Sequence, residues 1–230
     1  MNSTERFNSR TVKERKENFV QSMIFSRRLI KKEVFIIYSL FFLCSLVLIL
    51  LYGKAELHLR LNKFHSSFFD IFFKYSTFLG DGILFGVLVI GFFFIKRKMA
   101  LVFAVSGVLT LIITHLFKKI IFKGIPRPAG FLGAENLHLI EGVKMAFWNS
   151  FPSGHTITAF AIFTVLCLYF KKCVSQYLWA TLAIIAGISR VYLSQHFWID
   201  IFVGSVLGII IGFISMNLFF PMKKNDFQCS

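Results

Sequence analysis

Ser189-Arg190, five residues, His196, three more residues and Asp200 form one group of reactive side chains in the sequence. His196 and Asp200 are four apart, so on a helix they share a face. A carboxylate on one imidazole nitrogen fixes the tautomer and raises the nucleophilicity of the other. Asp200 also opens an apolar run, where an unpaired carboxylate is costly. A second group, Phe151-Pro152-Ser153-Gly154-His155-Thr156, stands just before another apolar run. Ser153 suits a helix N-cap, Gly154 lets backbone N–H groups approach an anion, and a helix N-terminus adds partial positive charge. His155, in the first turn, can donate a proton to a leaving oxygen. The third group runs from Lys118 to Pro128 and reads K-K-I-I-F-K-G-I-P-R-P. Gly124 and Pro126 end the preceding helix and leave Arg127 on a constrained, extended backbone. Its guanidinium is a fixed fork of donors for phosphate oxygens, and the neighbouring lysines add point charges.

Each group alone has a plain structural reading: snorkelling charges at a helix end, a capping turn, a structural Asp–His pair. Together they supply cations, a helix N-terminus, one histidine with a carboxylate partner and one without. That set fits phosphoryl transfer through a histidine nucleophile, with electrostatic stabilisation of the phosphoryl oxygens. No acidic cluster suggests Mg²⁺ or Zn²⁺, so the expected chemistry uses no metal and no cofactor.

The elements that must position these residues are membrane helices. Of the 230 residues 56% are apolar, 17% aromatic and 16% charged, with thirty-one Phe, whereas soluble domains sit nearer a quarter charged. Crossing a hydrocarbon core takes about 20 residues of helix. Spans are expected at about 34–51, 83–95 with an extension before Gly80, 99–117, 155–170, 177–193 and 197–220. The segment 68–78 reads as a helix entering the membrane at an angle, and 19–29 either as a short helix lying on its surface or as part of a partly disordered tail. The fold class is therefore all-α, a polytopic six-transmembrane-helix bundle. It divides into a basic N-terminal tail (1–33), one membrane domain (34–221) and a short C-terminal tail (222–230).

The formal net charge is +15, and much of the excess flanks apolar runs, as topology signals and anionic lipid headgroups require. No nucleic-acid motif accompanies it, so the expected partners are membrane lipids and not nucleic acid. Cys44, Cys167, Cys173 and Cys229 form no C-x-x-C pair, and none sits in an expected outer loop, which argues against a disulfide framework or zinc site. The polar, basic start is not a cleavable signal peptide. Placing the N-terminus, Lys96-Arg97-Lys98, Lys171-Lys172 and Lys223-Lys224 on the cytoplasmic side satisfies the positive-inside rule with six spans. All three reactive groups then meet at the outer interface. A transport pathway lined by Thr110, Thr114 and His115 is the alternative of a different class, but no internal repeats or paired broken helices are evident.

These motifs resemble the type-2 phosphatidic acid phosphatase superfamily, the lipid phosphate phosphatases, whose members carry Lys-x6-Arg-Pro, Pro-Ser-Gly-His and Ser-Arg-x5-His-x3-Asp in that order. Pro152-Ser153-Gly154-His155 and Ser189-Arg190-x5-His196-x3-Asp200 match in full, and the resemblance covers about 34–220. In the first motif seven residues separate Lys119 from Arg127, and the six-spaced position is Ile120. Lys119 is taken as the family lysine, with Lys118 and Lys123 as stand-ins. The resemblance implies that His196 is the nucleophile forming a phosphohistidine, Asp200 its orienting partner and His155 the general acid. It implies that Lys119, Arg127, Arg190, Ser153 and Gly154 bind phosphate. Undecaprenyl pyrophosphate, phosphatidylglycerophosphate and a lipid A phosphate are all compatible substrates for an outward-facing site in a bacterial inner membrane. A lipid phosphotransferase using the same site is the second enzymatic reading.

Overall fold

The computed structural model describes residues 32–170 and 173–221. The expected surface helix at 19–29, most of the N-terminal tail, the Lys171-Lys172 pair and the C-terminal tail lie outside them. The described chain is all helical. Its helices are α1 (Lys32–Leu51), α2 (Lys54–Asn62), α3 (Ser67–Ser76), α4 (Ile83–Ile95), α5 (Arg97–His115), α6 (Pro128–Leu132), α7 (Gly154–Tyr169), α8 (Cys173–Tyr192) and α9 (Trp198–Phe219). Among the described residues the only extended pairing outside helices is a single bridge between Pro126 and Trp148.

The centre of the bundle is α7. Its sequence is apolar on every face, and every side chain from Thr156 to Leu168 is buried, as such a pattern requires. Three glycines of α9, spaced four apart, let the two helices meet backbone to backbone. A Cβ on Gly208 would lie 2.6 Å from the Ile157 carbonyl oxygen, one on Gly204 2.9 Å from the Ser153 oxygen, and one on Gly212 2.8 Å from Thr164 Cβ. Small residues at such a crossing are how membrane helices pack, because lipid offers no hydrophobic drive to hold them together. The consequence for function is that the N-terminus of α7 is fixed against the N-terminus of α9. From the other side Gly80, closing the 3₁₀ turn Thr77–Gly80, lies so near His155 that a Cβ there would meet its carbonyl oxygen at 2.6 Å.

Long apolar side chains that face away from this centre, including Leu50, Ile83, Phe94, Ile95, Leu111 and Val174, are exposed, consistent with a surface solvated by hydrocarbon. By length and composition three helices can cross a membrane: α5 with its continuation to Ile121, α8 from Val174, and α9. Two bent pairs, α1 with α2 at 113° and α3 with α4 at 58°, bring the number to five. The remaining expected span, α7, has 16 residues, about 24 Å at 1.5 Å per residue. It is sheathed by protein, so its apolar face need not match the lipid. The bends also depart from the sequence reading, which found no paired broken helices. Both have local causes. Helix α2 carries Lys54, Glu56 and Arg60, with Arg60 paired to Glu56 at 2.8 Å, charges that keep it at the interface. Asp81 starts α4 afresh by accepting the N–H of Ile83 at 3.0 Å.

Candidate active site

Between α8 and α9 the chain turns tightly. The N–H groups of Gln195 and His196 both donate to the carbonyl of Arg190, at 2.9 and 3.1 Å, and Ser194 adopts a positive φ of 53°. His196 is thereby set one turn before Asp200, which lies in the first turn of α9. Asp200 Oδ2 accepts from His196 Nδ1 at 3.2 Å, from the backbone N–H of Phe197 at 3.0 Å, and from the hydroxyl of Ser150. All three side chains are buried. A carboxylate only accepts, so Nδ1 carries the imidazole proton and Nε2 keeps its lone pair. Burial above all, then the positive charges of Arg127, Lys118 and Arg190, hold the His196 pKa well below its ordinary value. The ring is therefore neutral at pH 7, the state a nucleophile needs. Ser150, only 3.5 Å from His196 Nδ1 as well, is a member of this unit that sequence reasoning missed. No spacing rule links position 150 to position 200.

Around this unit lies an anion cradle. Ser153 caps α7: its hydroxyl oxygen accepts from the Thr156 N–H at 3.4 Å and the Thr156 hydroxyl at 2.8 Å. Its own N–H donates to the Asp200 carbonyl at 3.1 Å, which locks the two helix starts together. The strand-like segment before α6 pairs with the end of the outer loop. Arg127 N–H donates to Phe147 O at 2.8 Å and Ser150 N–H to Ile125 O at 3.0 Å. That leaves Arg127 extended, at φ −80° and ψ 170°. Its Nε donates to Trp148 O at 3.0 Å. Arg190 projects from the last turn of α8, its Nη1 donating to the Thr77 hydroxyl, while its buried Nε has no partner among the described residues. His155 makes no side-chain hydrogen bond among the described residues, and the charges of Arg190, Lys118 and Arg127 all reach it as they reach His196. Three cations, a helix N-terminus with its N–H groups, a neutral nucleophile and a second imidazole thus surround one point. Such a set can bind a phosphoryl group and move it.

The sequence profile of the PAP2 superfamily matches residues 97–224, more than half of the chain. The chain belongs to the PAP2 superfamily. Among curated sequences, this PAP2 protein is similar to undecaprenyl-diphosphatase BcrC of Bacillus subtilis, with 30% identity over 119 residues, 52% of this chain and 57% of that one. It is also similar to the bacitracin transport permease protein BcrC of Bacillus licheniformis, with 42% identity over 62 residues, 27% of this chain and 30% of the relative. The matches therefore span less than two thirds of these relatives' own lengths. Among solved structures it resembles Aquifex aeolicus LpxE, with a TM-score of 0.61 and 29% identity over 70% of this chain and 93% of that one.

Within the PAP2 frame the structure brings together His155, Arg127, Arg190, Ser153, Gly154, His196 and Asp200. It does not bring Lys119. That side chain is exposed, whereas Lys118 is among the charges that reach both histidines. Lys118 takes the place instead: a Cβ on Gly154 would lie 3.7 Å from its Nζ and 3.2 Å from Thr114 Cγ2. The physical reason is helical phase. Thr114, near the end of α5, and Lys118, about one turn further on in its continuation, both face Gly154 of α7, and the next residue points about 100° away. Beyond His115 the helix continues as a π turn, Leu116–Ile121, closed by Phe122 N–H on Phe117 O at 2.7 Å. Such a turn adds one residue to the coil, which lengthens the run to Arg127. Counting spacing in the sequence could not reveal it. No group of three His, Cys, Asp or Glu side chains suited to a metal ion occurs among the described residues.

Proposed function

We propose that the protein is an integral membrane lipid phosphatase that hydrolyses a lipid phosphomonoester or pyrophosphate through a phosphohistidine. The observation that carries this reading is the buried Ser150–Asp200–His196 unit, set beside the N-terminus of α7 and within reach of Lys118, Arg127 and Arg190. His196 Nε2 attacks phosphorus, and the N–P bond forms as the P–O bond to the lipid breaks. His155 gives its proton to the departing oxygen. Water then attacks the phosphohistidine and passes a proton to His155, the N–P bond electrons return to the imidazole, and inorganic phosphate leaves. Arg127, Arg190, Lys118 and the N–H groups of Gly154 and His155 at the start of α7 stabilise the equatorial oxygens, the role expected of fixed donors in a water-poor site.

Candidate substrates follow from the names of similar proteins: undecaprenyl diphosphate, the 1-phosphate of lipid A, as in the lipid A 1-phosphatase of Porphyromonas gingivalis, and phosphatidylglycerophosphate. Assay of the purified protein against these lipids in EDTA tests the reading directly. Phosphate release from at least one of them in chelator, blocked by vanadate, is the expected result. Complete loss in EDTA, restored by Mg²⁺, contradicts the mechanism.

The lysine assignment gives a sharper expectation. Removing a charge-assisted contact to phosphate costs about 1.5–3 kcal/mol, roughly 10–100-fold. Lys118→Ala is expected to weaken kcat/KM and vanadate inhibition by that factor, with Lys119→Ala within about threefold of wild type. The reverse order returns the role to Lys119.

The orientation we propose counts six spans, α7 included, with the site on the non-cytoplasmic side of a bacterial inner membrane and both termini in the cytoplasm. Helix α5 supports this orientation: Lys96-Arg97-Lys98 stand at one end and Lys118 beyond the other, about 28 Å apart along the 19-residue axis. The basic triplet is then cytoplasmic. In intact cells a membrane-impermeant thiol reagent is expected to label a cysteine introduced at Ala134 but not one at Ser175, and the opposite pattern overturns the orientation.

A further inference from the structure

Gln195 lies directly before the proposed nucleophile and is only 3% exposed. Its bonds reach each part of the site. Its backbone N–H donates to the Arg190 carbonyl at 2.9 Å. Its backbone oxygen and its side-chain Oε1 both accept from Arg127 Nη1, each at 3.2 Å. Its Nε2 donates to the Lys144 carbonyl at 3.3 Å and to Met145 Sδ at 3.2 Å. The orientation of the amide is dictated by chemistry. A guanidinium offers only donors, so Oε1 must face Arg127 and the amide nitrogen must face the Lys144 carbonyl.

Arg127 has five N–H groups. Trp148 takes the one on Nε, and Gln195 takes the two on Nη1. Only the pair on Nη2 lacks a protein partner among the described residues. A free arginine side chain carries considerable rotamer entropy, and a substrate that had to order it would bind more weakly.

We propose that Gln195 is a positioning residue that locks the Arg127 guanidinium before substrate arrives, leaves Nη2 for the phosphoryl group, and ties this setting to the outer loop at Lys144–Met145. The proposal rests on the reading that Arg127 binds the phosphoryl group. Gln195→Met keeps the shape and removes both the acceptor and the amide donor. Losing one bond to a charged group corresponds to roughly 10–100-fold in affinity.

The test is a double-mutant cycle on vanadate affinity, measured by calorimetric titration of purified protein: wild type, Gln195→Met, Arg127→Ala and the double variant. If Gln195→Met does not purify as a monodisperse species, Gln195→Asn, one methylene too short to reach Arg127, carries the same test. Weakening of at least about tenfold in the Arg127 background, with less than about twofold change in the Arg127→Ala background, is the expected result, because the two residues act as one unit. Equal losses in both backgrounds, or no loss with Arg127 present, overturn the role of Gln195 while leaving the phosphatase reading intact. Wild-type vanadate affinity in Arg127→Ala would instead sink the assignment of Arg127 itself, and the proposal with it.

Discussion

His155→Ala is expected to slow hydrolysis of a lipid phosphate by roughly 10²–10⁴, the usual contribution of a general acid, and to spare a substrate whose leaving group needs no proton. His155 stands in the first turn of α7 with no side-chain hydrogen bond among the described residues, whereas His196 is tied through Nδ1 to a buried carboxylate. One imidazole is oriented as a nucleophile, and the other is left to exchange a proton with the substrate. An alkoxide is a poor leaving group and needs that proton; a nitrophenolate does not. With nitrophenyl phosphate the first step should therefore recover in His155→Ala. Release of phosphate should then become limiting, because the same residue would activate water, and phosphoenzyme should accumulate. Equal slowing on both substrates would remove His155 from proton transfer and leave it a purely structural role.

The parts of this site that the sequence reveals are those carried by local geometry. The four-residue spacing of His196 and Asp200 puts them on one helical turn, and the structure has them 3.2 Å apart. Ser153 before an apolar run is found capping α7, and the prolines around Arg127 do keep its backbone extended. The parts that stay hidden depend on which distant segments meet. Ser150 reaches Asp200, and Gln195 reaches Arg127 and Lys144, across 50 or more positions of sequence. No periodicity encodes such contacts. Lys118 supplants Lys119 at the cradle because helical phase and a π turn, not residue count, decide which side chain faces Gly154. The shortness of α7 is likewise legible only once its neighbours are seen. A helix buried on every side by α5, α8 and α9 has no lipid boundary to satisfy, so the usual length rule for a span loses its force. The bends at Gly53 and Asp81 show the same limit. Charge in α2 and a capping carboxylate before α4 predict a break, but not its angle.

His196→Ala is expected to have the largest effect of any single substitution: no turnover of lipid phosphate, and none of nitrophenyl phosphate either. The contrast with His155 is qualitative. A better leaving group can replace a missing acid, but nothing in the site can replace a missing nucleophile. Arg127, Arg190 and Lys118 carry no lone pair to offer while charged, and the Ser150 hydroxyl is fully buried on the Nδ1 side of the ring, away from Nε2. Residual activity within about tenfold of wild type would mean that His196 is neither nucleophile nor base and that water attacks phosphorus directly. Asp200→Asn separates the orienting role from the nucleophilic one. It should keep the fold of the turn, since an amide oxygen can still accept from Phe197 N–H, yet lose most of the rate through a weakened hold on the tautomer.

The central claim is the covalent intermediate on His196, and rapid-quench trapping tests it most directly. Wild-type protein, His155→Ala and His196→Ala are mixed with phosphorus-labelled nitrophenyl phosphate, quenched within a turnover, and assayed for protein-bound label that survives base and is lost in acid. The account predicts such label in wild type, more of it in His155→Ala, and none in His196→Ala, with peptide mapping placing it on His196. Label of the same stability in His196→Ala, mapped to His155, would contradict the account and exchange the roles of the two histidines.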